Sequence, residues 1–76
     1  KGLVVRSKAG HDKGSFYLVL GLETDMAVVC DGSRRALANP KRKKLIHLSP
    51  TKTVIPNHLM KTNREIYEHL QPFRCK

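Results

Sequence analysis

The chain has 76 residues, with 15 Lys and Arg against 6 Asp and Glu, for a net charge of +9 at pH 7 with histidine neutral. That length allows one small domain with a modest core, and so dense a positive charge favours a polyanionic partner, nucleic acid above all. No apolar run approaches the roughly 20 residues of a spanning helix, and the cations fall in loops and turns rather than along an amphipathic helix, which argues against a membrane surface. Cys30 and Cys75 lie far apart and outside any CxxC pair, too sparse for a disulfide scaffold; with no signal-peptide pattern, a cytoplasmic protein is expected.

Leu3, Val4 and Val5 predict a first strand, covered at least partly on both sides. If its period of two continues, Arg6 and Lys8 point the same way, off the core. Gly10 and Gly14 then bracket His11, Asp12 and Lys13. Each glycine can take the positive φ of a tight reversal, and the loop between them presents backbone N–H groups and basic side chains together, a geometry suited to phosphate.

Residues 16–22, FYLVLGL, predict a second strand with Phe16, Leu18, Leu20 and Leu22 on the core face, Tyr17 and Val19 opposite, and a bulge or bend at Gly21. Glu23, Thr24 and Asp25 make a polar turn, and residues 26–30 return as the antiparallel partner, with Val28 in the core and Cys30 as a buried, inert thiol. Asp31-Gly32 signals a reversal. Residues 34–38 should form a short edge strand guarded by Arg34 and Arg35, ended by Asn39-Pro40. Lys41, Arg42, Lys43 and Lys44 follow as a basic turn outside the core. Residues 45–48 then read as a closing strand with Ile46 and Leu48 inward and Leu45 and His47 outward.

Two stretches carry a family resemblance. GLVVRSKAGHDKG, followed by an apolar strand, resembles the KOW motif, a strand, loop and strand signature of ribosomal proteins and some transcription elongation factors. VVCDGSRRALANPKRKKLIHL is similar to the continuation in KOW-bearing large-subunit ribosomal proteins of archaea and eukaryotes and in small bacterial relatives. The resemblance covers roughly residues 2–51. It implies a mainly β protein, a small SH3-like β-barrel of about five strands that binds RNA, and it places His47 near the RNA-facing side. That the RNA is ribosomal follows from the resemblance alone.

Beyond Ser49 the composition changes, so residues 1–52 are assigned to the barrel and 53–76 to an extension with a short C-terminal helix. Val54 and Ile55 read as an extended strap. Thr62 and Glu65 have capping-box spacing; Ile66 and Leu70, with Tyr67 beside them, form one apolar stripe, and Pro72 should end the element. Core packing is the expected role of that stripe, and Cys75 falls in a frayed tail.

The expected RNA contacts are Arg6, Lys8, His11, Lys13, Arg34, Arg35, Lys41, Arg42, Lys43, Lys44 and His47, directed at the phosphates of structured RNA. His11 projects from the loop, where it could stack on a base or bond a phosphate. Only four aromatic residues are present, so base stacking has limited equipment. The six carboxylates show no spaced acid–base pair and no catalytic motif is found, which argues against an enzyme. The four histidines lie in separate segments without cysteine partners, so neither a metal nor another cofactor is expected. The expected protein is a monomeric, ribosome-associated RNA-binding module, with ribosomal proteins as further neighbours. The rival is a protein-interaction barrel of the transcription or translation machinery, using an edge strand or the C-terminal helix.

Overall fold

The computed structural model describes residues 2–11 and 13–74; Lys1, Asp12 and Cys75, with the frayed tail expected there, lie outside the described residues. Five strands form one antiparallel sheet: β1 (Leu3–Ser7), β2 (Phe16–Leu22), β3 (Met26–Cys30), β4 (Lys41–Lys44) and β5 (Leu48–Val54), in the order β4-β3-β2-β1-β5. A helix, α1 (Asn63–Arg74), follows.

The expected barrel is not formed. β4 and β5 are the two edges of the sheet and are not hydrogen-bonded to one another, so the sheet is open and the SH3-like closure inferred from the resemblance is overturned. It is nonetheless strongly coiled. A flat five-stranded sheet would hold its edges roughly 19 Å apart at about 4.8 Å per strand. Here a three-residue 3₁₀ turn, Leu45–His47, spans from one edge strand to the other. At about 2 Å of rise per residue, such a turn reaches only because the sheet curls its edges toward each other.

The apolar alternation of residues 45–48 therefore belongs to a turn and not to a closing strand. Ile46 is 73% exposed and Leu48 is buried at the start of β5. The strand expected at residues 34–38 is also absent: the Asp31 carboxylate accepts the N–H groups of Ser33 at 2.8 Å and Arg35 at 2.9 Å. That side-chain cap winds residues 31–35 into a turn, because it offers the backbone an alternative to a ladder. Lys41–Lys44, expected as a turn, is instead the edge strand, pairing with β3 from Val29↔Lys41 to Met26↔Lys44.

The first hairpins follow the sequence more closely. β1 pairs with β2, Val4 opposite Leu18 and Val5 opposite Tyr17, and the β2–β3 register shifts between Val19 and Gly21, the expected bulge. Both faces of β2 are covered, so its two-sided apolar run makes two cores. One holds Val4, Leu18, Cys30, Ile55, Met60, Ile66 and Leu70 beneath α1; the other, on the concave face, holds Val5, Tyr17, Val19, Ala27, Val29 and Leu48. Leu22 is 67% exposed: past the bulge it lies opposite Ala27, on the concave side and not with Leu18, and Val28 is only half-buried, lying opposite Arg42 on the same face as Cys30.

Helix α1 starts at the expected capping box. Thr62 Oγ1 accepts the Glu65 N–H at 3.2 Å, and Glu65 Oε1 accepts the N–H groups of Thr62 and Lys61 at 3.2 and 3.1 Å. Ile66 and Leu70 are fully buried, each worth about 1.5–3 kcal/mol against exposure. Pro72 does not end the helix, which runs on to Arg74; so near the C-terminus the proline forfeits a single ladder bond, to the Glu68 carbonyl. Of the expected strap, Ile55 is buried and Val54 is exposed at the end of β5.

Candidate nucleic-acid interface

The glycine-bracketed loop after β1 is held by its own backbone. Ser7 N–H donates to the Ser15 carbonyl and Gly14 N–H to the Ser7 carbonyl, both at 2.8 Å, while Gly10 and Gly14 take φ of +85° and +91°, as the tight reversal requires. Ser7 is fully buried, and its hydroxyl donates to the Ala9 carbonyl at 3.1 Å. Lys8, His11 and Lys13 are all exposed on this frame. Arg6, in β1 opposite Phe16 and Ser49, is exposed at the same end of the strand.

Two other segments meet the loop. On one flank, Lys8 N–H donates to the His47 carbonyl at 2.8 Å, and the Lys43 ammonium donates to the Ala9 carbonyl at 3.3 Å. On the other, a cleft of about 460 Å³ separates the loop at His11, Gly14 and Ser15 from Asp31, Ser33 and Arg34 and from the last turns of α1. The coil of the sheet thus sets the loop between the turn carrying Arg34 and the turn carrying His47.

The expected tetrad at residues 41–44 does not act as one surface. As a strand it alternates: Lys41 and Lys43 lie opposite Val29 and Ala27, on the concave side, whereas Arg42 and Lys44 lie opposite Val28 and Met26 on the other. Lys43 is 8% exposed and directed into the first loop, so it is a structural cation and not an outward one. Arg42 is committed to Glu23 of the β2–β3 turn, Nε to Oε1 at 3.1 Å. Among the described residues no side-chain partner is found for Lys8, Lys13, Arg34 or Lys44. Arg35 is half-buried, with its carbonyl accepting the N–H groups of Asp31 and Gly32.

Gly32 is what allows this turn to lie on the helix. Its φ is +77°, and a β-carbon there would meet the Asn63 carbonyl oxygen and come within 2.8 Å of the Tyr67 nitrogen. Asn63 strengthens the junction by accepting the Leu37 N–H on its side-chain oxygen at 2.7 Å.

The sequence reading missed Tyr67, Phe73 and Arg74 as part of this region, because α1 lies outside the resemblance. The available signal was the spacing of Tyr67 and Arg74, two turns apart on one helix face. The Arg74 guanidinium stands 4.1 Å from the Tyr67 ring centroid, and one of its nitrogens donates to the Tyr67 carbonyl at 2.6 Å and to Gln71 Oε1 at 3.1 Å. Among the described residues no cluster of His, Cys, Asp and Glu could hold a metal, and no helix is long and apolar enough to cross a membrane. No family model matches the chain, and no curated protein matches it.

Proposed function

We propose that this protein is an RNA-binding module of KOW type that grips the sugar-phosphate backbone of structured RNA, ribosomal RNA being the target the resemblance suggests. The observation that carries the reading is the arrangement around the first loop: Lys8, His11 and Lys13 project from a turn tied by backbone hydrogen bonds and two positive-φ glycines, with Arg34 across the cleft on one flank and His47 bonded to the loop on the other. Cations without carboxylate partners repel one another unless an anion lies among them, and phosphates spaced along a strand supply it. Arg6 extends the contact, Arg35, Lys41 and Lys44 lie at its margin, and Arg42 and Lys43 support it through Glu23 and Ala9. The contact is directed at phosphate, so affinity should exceed sequence preference.

The test is binding of a structured ribosomal RNA fragment across a salt series. Each neutralised phosphate contributes a log–log slope of roughly −0.7 to −0.9, and replacing Lys8 and Lys13 together with alanine should flatten the slope by about two units. Affinity independent of salt would sink the proposal.

A second reading, protein binding through a sheet edge, has one observation behind it. Leu3, Val5, Val19, Leu22, Ala27, Leu45, Leu48 and Pro50 line an apolar hollow of about 260 Å³ on the concave side of the sheet, bordered by edge strand β5. An added strand there would find backbone groups and apolar cover together. The helix stripe does not serve that reading, since Ile66 and Leu70 are spent in the core.

A further inference from the structure

The chain has four aromatic residues, Phe16, Tyr17, Tyr67 and Phe73, and all four border the single cleft between the first loop, the Asp31–Arg34 turn and the end of α1. Tyr17 is buried, with its side chain in the concave core on the other side of β2; Phe16 and Phe73 are partly exposed and packed ring to ring at 5.3 Å, and Tyr67 is 41% exposed. Phe16 of β2 and Tyr67 and Phe73 of α1, far apart in sequence, thus meet at a cleft that Arg34, Arg74 and His11 also line. The volume of about 460 Å³ lies within the roughly 300–1,000 Å³ of small-molecule sites.

The basic side chains there are of two kinds. Arg74 is fixed: its guanidinium is stacked over Tyr67 and tied to the Tyr67 carbonyl and to Gln71, which makes a flat, pre-set platform of the sort on which nucleobases stack. Arg34 and His11 are exposed on the opposite rims, with no side-chain partner among the described residues. The Asp31 carboxylate in the same wall is already accepting two backbone N–H groups, so much of its charge is answered locally.

We propose that this cleft receives one unstacked nucleotide of the bound RNA, its base lying on the Tyr67–Arg74 platform and its phosphate held between Arg34 and His11. The proposal rests on the RNA-binding reading and adds to it a preference: a structured RNA with a bulged or looped-out nucleotide binds more tightly than a continuous duplex. It also reverses the expectation, drawn from the small aromatic count, that stacking has little part. Three aromatics suffice when they border one site.

The experiment compares two short RNA hairpins, one with a single bulged 2-aminopurine and one fully paired, by fluorescence anisotropy at fixed salt. A stacked base contributes roughly ten- to hundred-fold in affinity, so the wild-type protein should favour the bulged hairpin by at least about tenfold, with quenching of the 2-aminopurine emission on binding. Tyr67→Leu, with Arg74→Ala as an independent variant, should abolish both the preference and the quenching while leaving affinity for the paired hairpin within about twofold. Circular dichroism establishes that each variant is folded. Equal binding of the two hairpins by wild-type protein, or a preference and quenching that persist in both variants, overturns the nucleotide site and leaves backbone binding intact. Binding of neither hairpin at low salt overturns the RNA reading and this inference together.

Discussion

The ammonium of Lys43 donates to the carbonyl oxygen of Ala9 at 3.3 Å, joining edge strand β4 to the loop after β1. That oxygen also accepts the Ser7 hydroxyl at 3.1 Å, so one carbonyl collects a charged and a neutral donor in a largely buried place. A hydrogen bond from a charged group contributes about 1.5–3 kcal/mol, partly offset by the cost of burying the charge. Lys43→Ala should therefore destabilise the domain by about 1–2 kcal/mol, whereas Lys44→Ala, exposed on the other face, should change stability by less than about 0.5 kcal/mol. Urea melts of the two variants measure the difference. Replacing all four residues at 41–44 with alanine will not leave the fold untouched, as a purely superficial tetrad would.

Gly32→Ala tests the seat of the basic turn on the helix. The added methyl meets backbone atoms of Asn63 and Tyr67, and the positive φ adds strain, so a loss of more than about 2 kcal/mol is expected. A thermal melt unchanged by this substitution would mean that the turn can lift away from α1 without cost.

Val29 and Val28 separate buried from half-buried in one strand. Val29→Asp places an unpaired charge in the concave core and should unfold the domain, at about 3–5 kcal/mol. Val28→Asp lies opposite Arg42 and should cost less than about 2 kcal/mol. Circular dichroism of the two proteins decides between them, and similar collapse of both would contradict the asymmetry.

Burial, with Asp31 beside it, pushes the Cys30 thiol up to about 11 from an ordinary 9.0. The unfolded chain then loses its proton first, so this contribution is fully present below about pH 9 and stability falls as pH rises from about 9 toward 11. In a Cys75→Ser background, Cys30 should resist alkylation at neutral pH until the domain opens. Rapid labelling under native conditions would show the thiol to be accessible.

Thr62→Ala removes the reciprocal cap of α1 and should cost about 1 kcal/mol. Because the same helix supplies Tyr67 and Arg74, amide exchange in its first turn should quicken while that of β1 and β2 is unaffected. An unaltered exchange pattern would show that tertiary packing alone holds the helix start.

How far these features could be read beforehand depends on which force set them. β1, β2 and β3 were legible because β-branched runs and the Asp31-Gly32 signal act locally, and α1 because Thr62 and Glu65 cap each other. β4 was not, since Lys41–Lys44 holds no apolar residue; it is a strand because the backbone of β3 offers it a ladder at an edge, where charge is tolerated. The turn at Leu45–His47 reads as a strand in the sequence because apolar alternation looks the same in both, and only the distance between sheet edges tells them apart. The first loop and its cations were visible in the sequence. The cleft was not, since its aromatic wall comes from a segment that no local pattern connects to His11 or Arg34.

The connection at Leu45–His47 acts as a ruler. Lengthening it by one or two residues would let the edge strands spring apart, relaxing the sheet and drawing the Ala9 loop off Lys43, without replacing any basic side chain of the loop. Its size, more than its chemistry, is therefore what any working variant of this protein has to keep, and insertions are better borne by the stretch before Lys41.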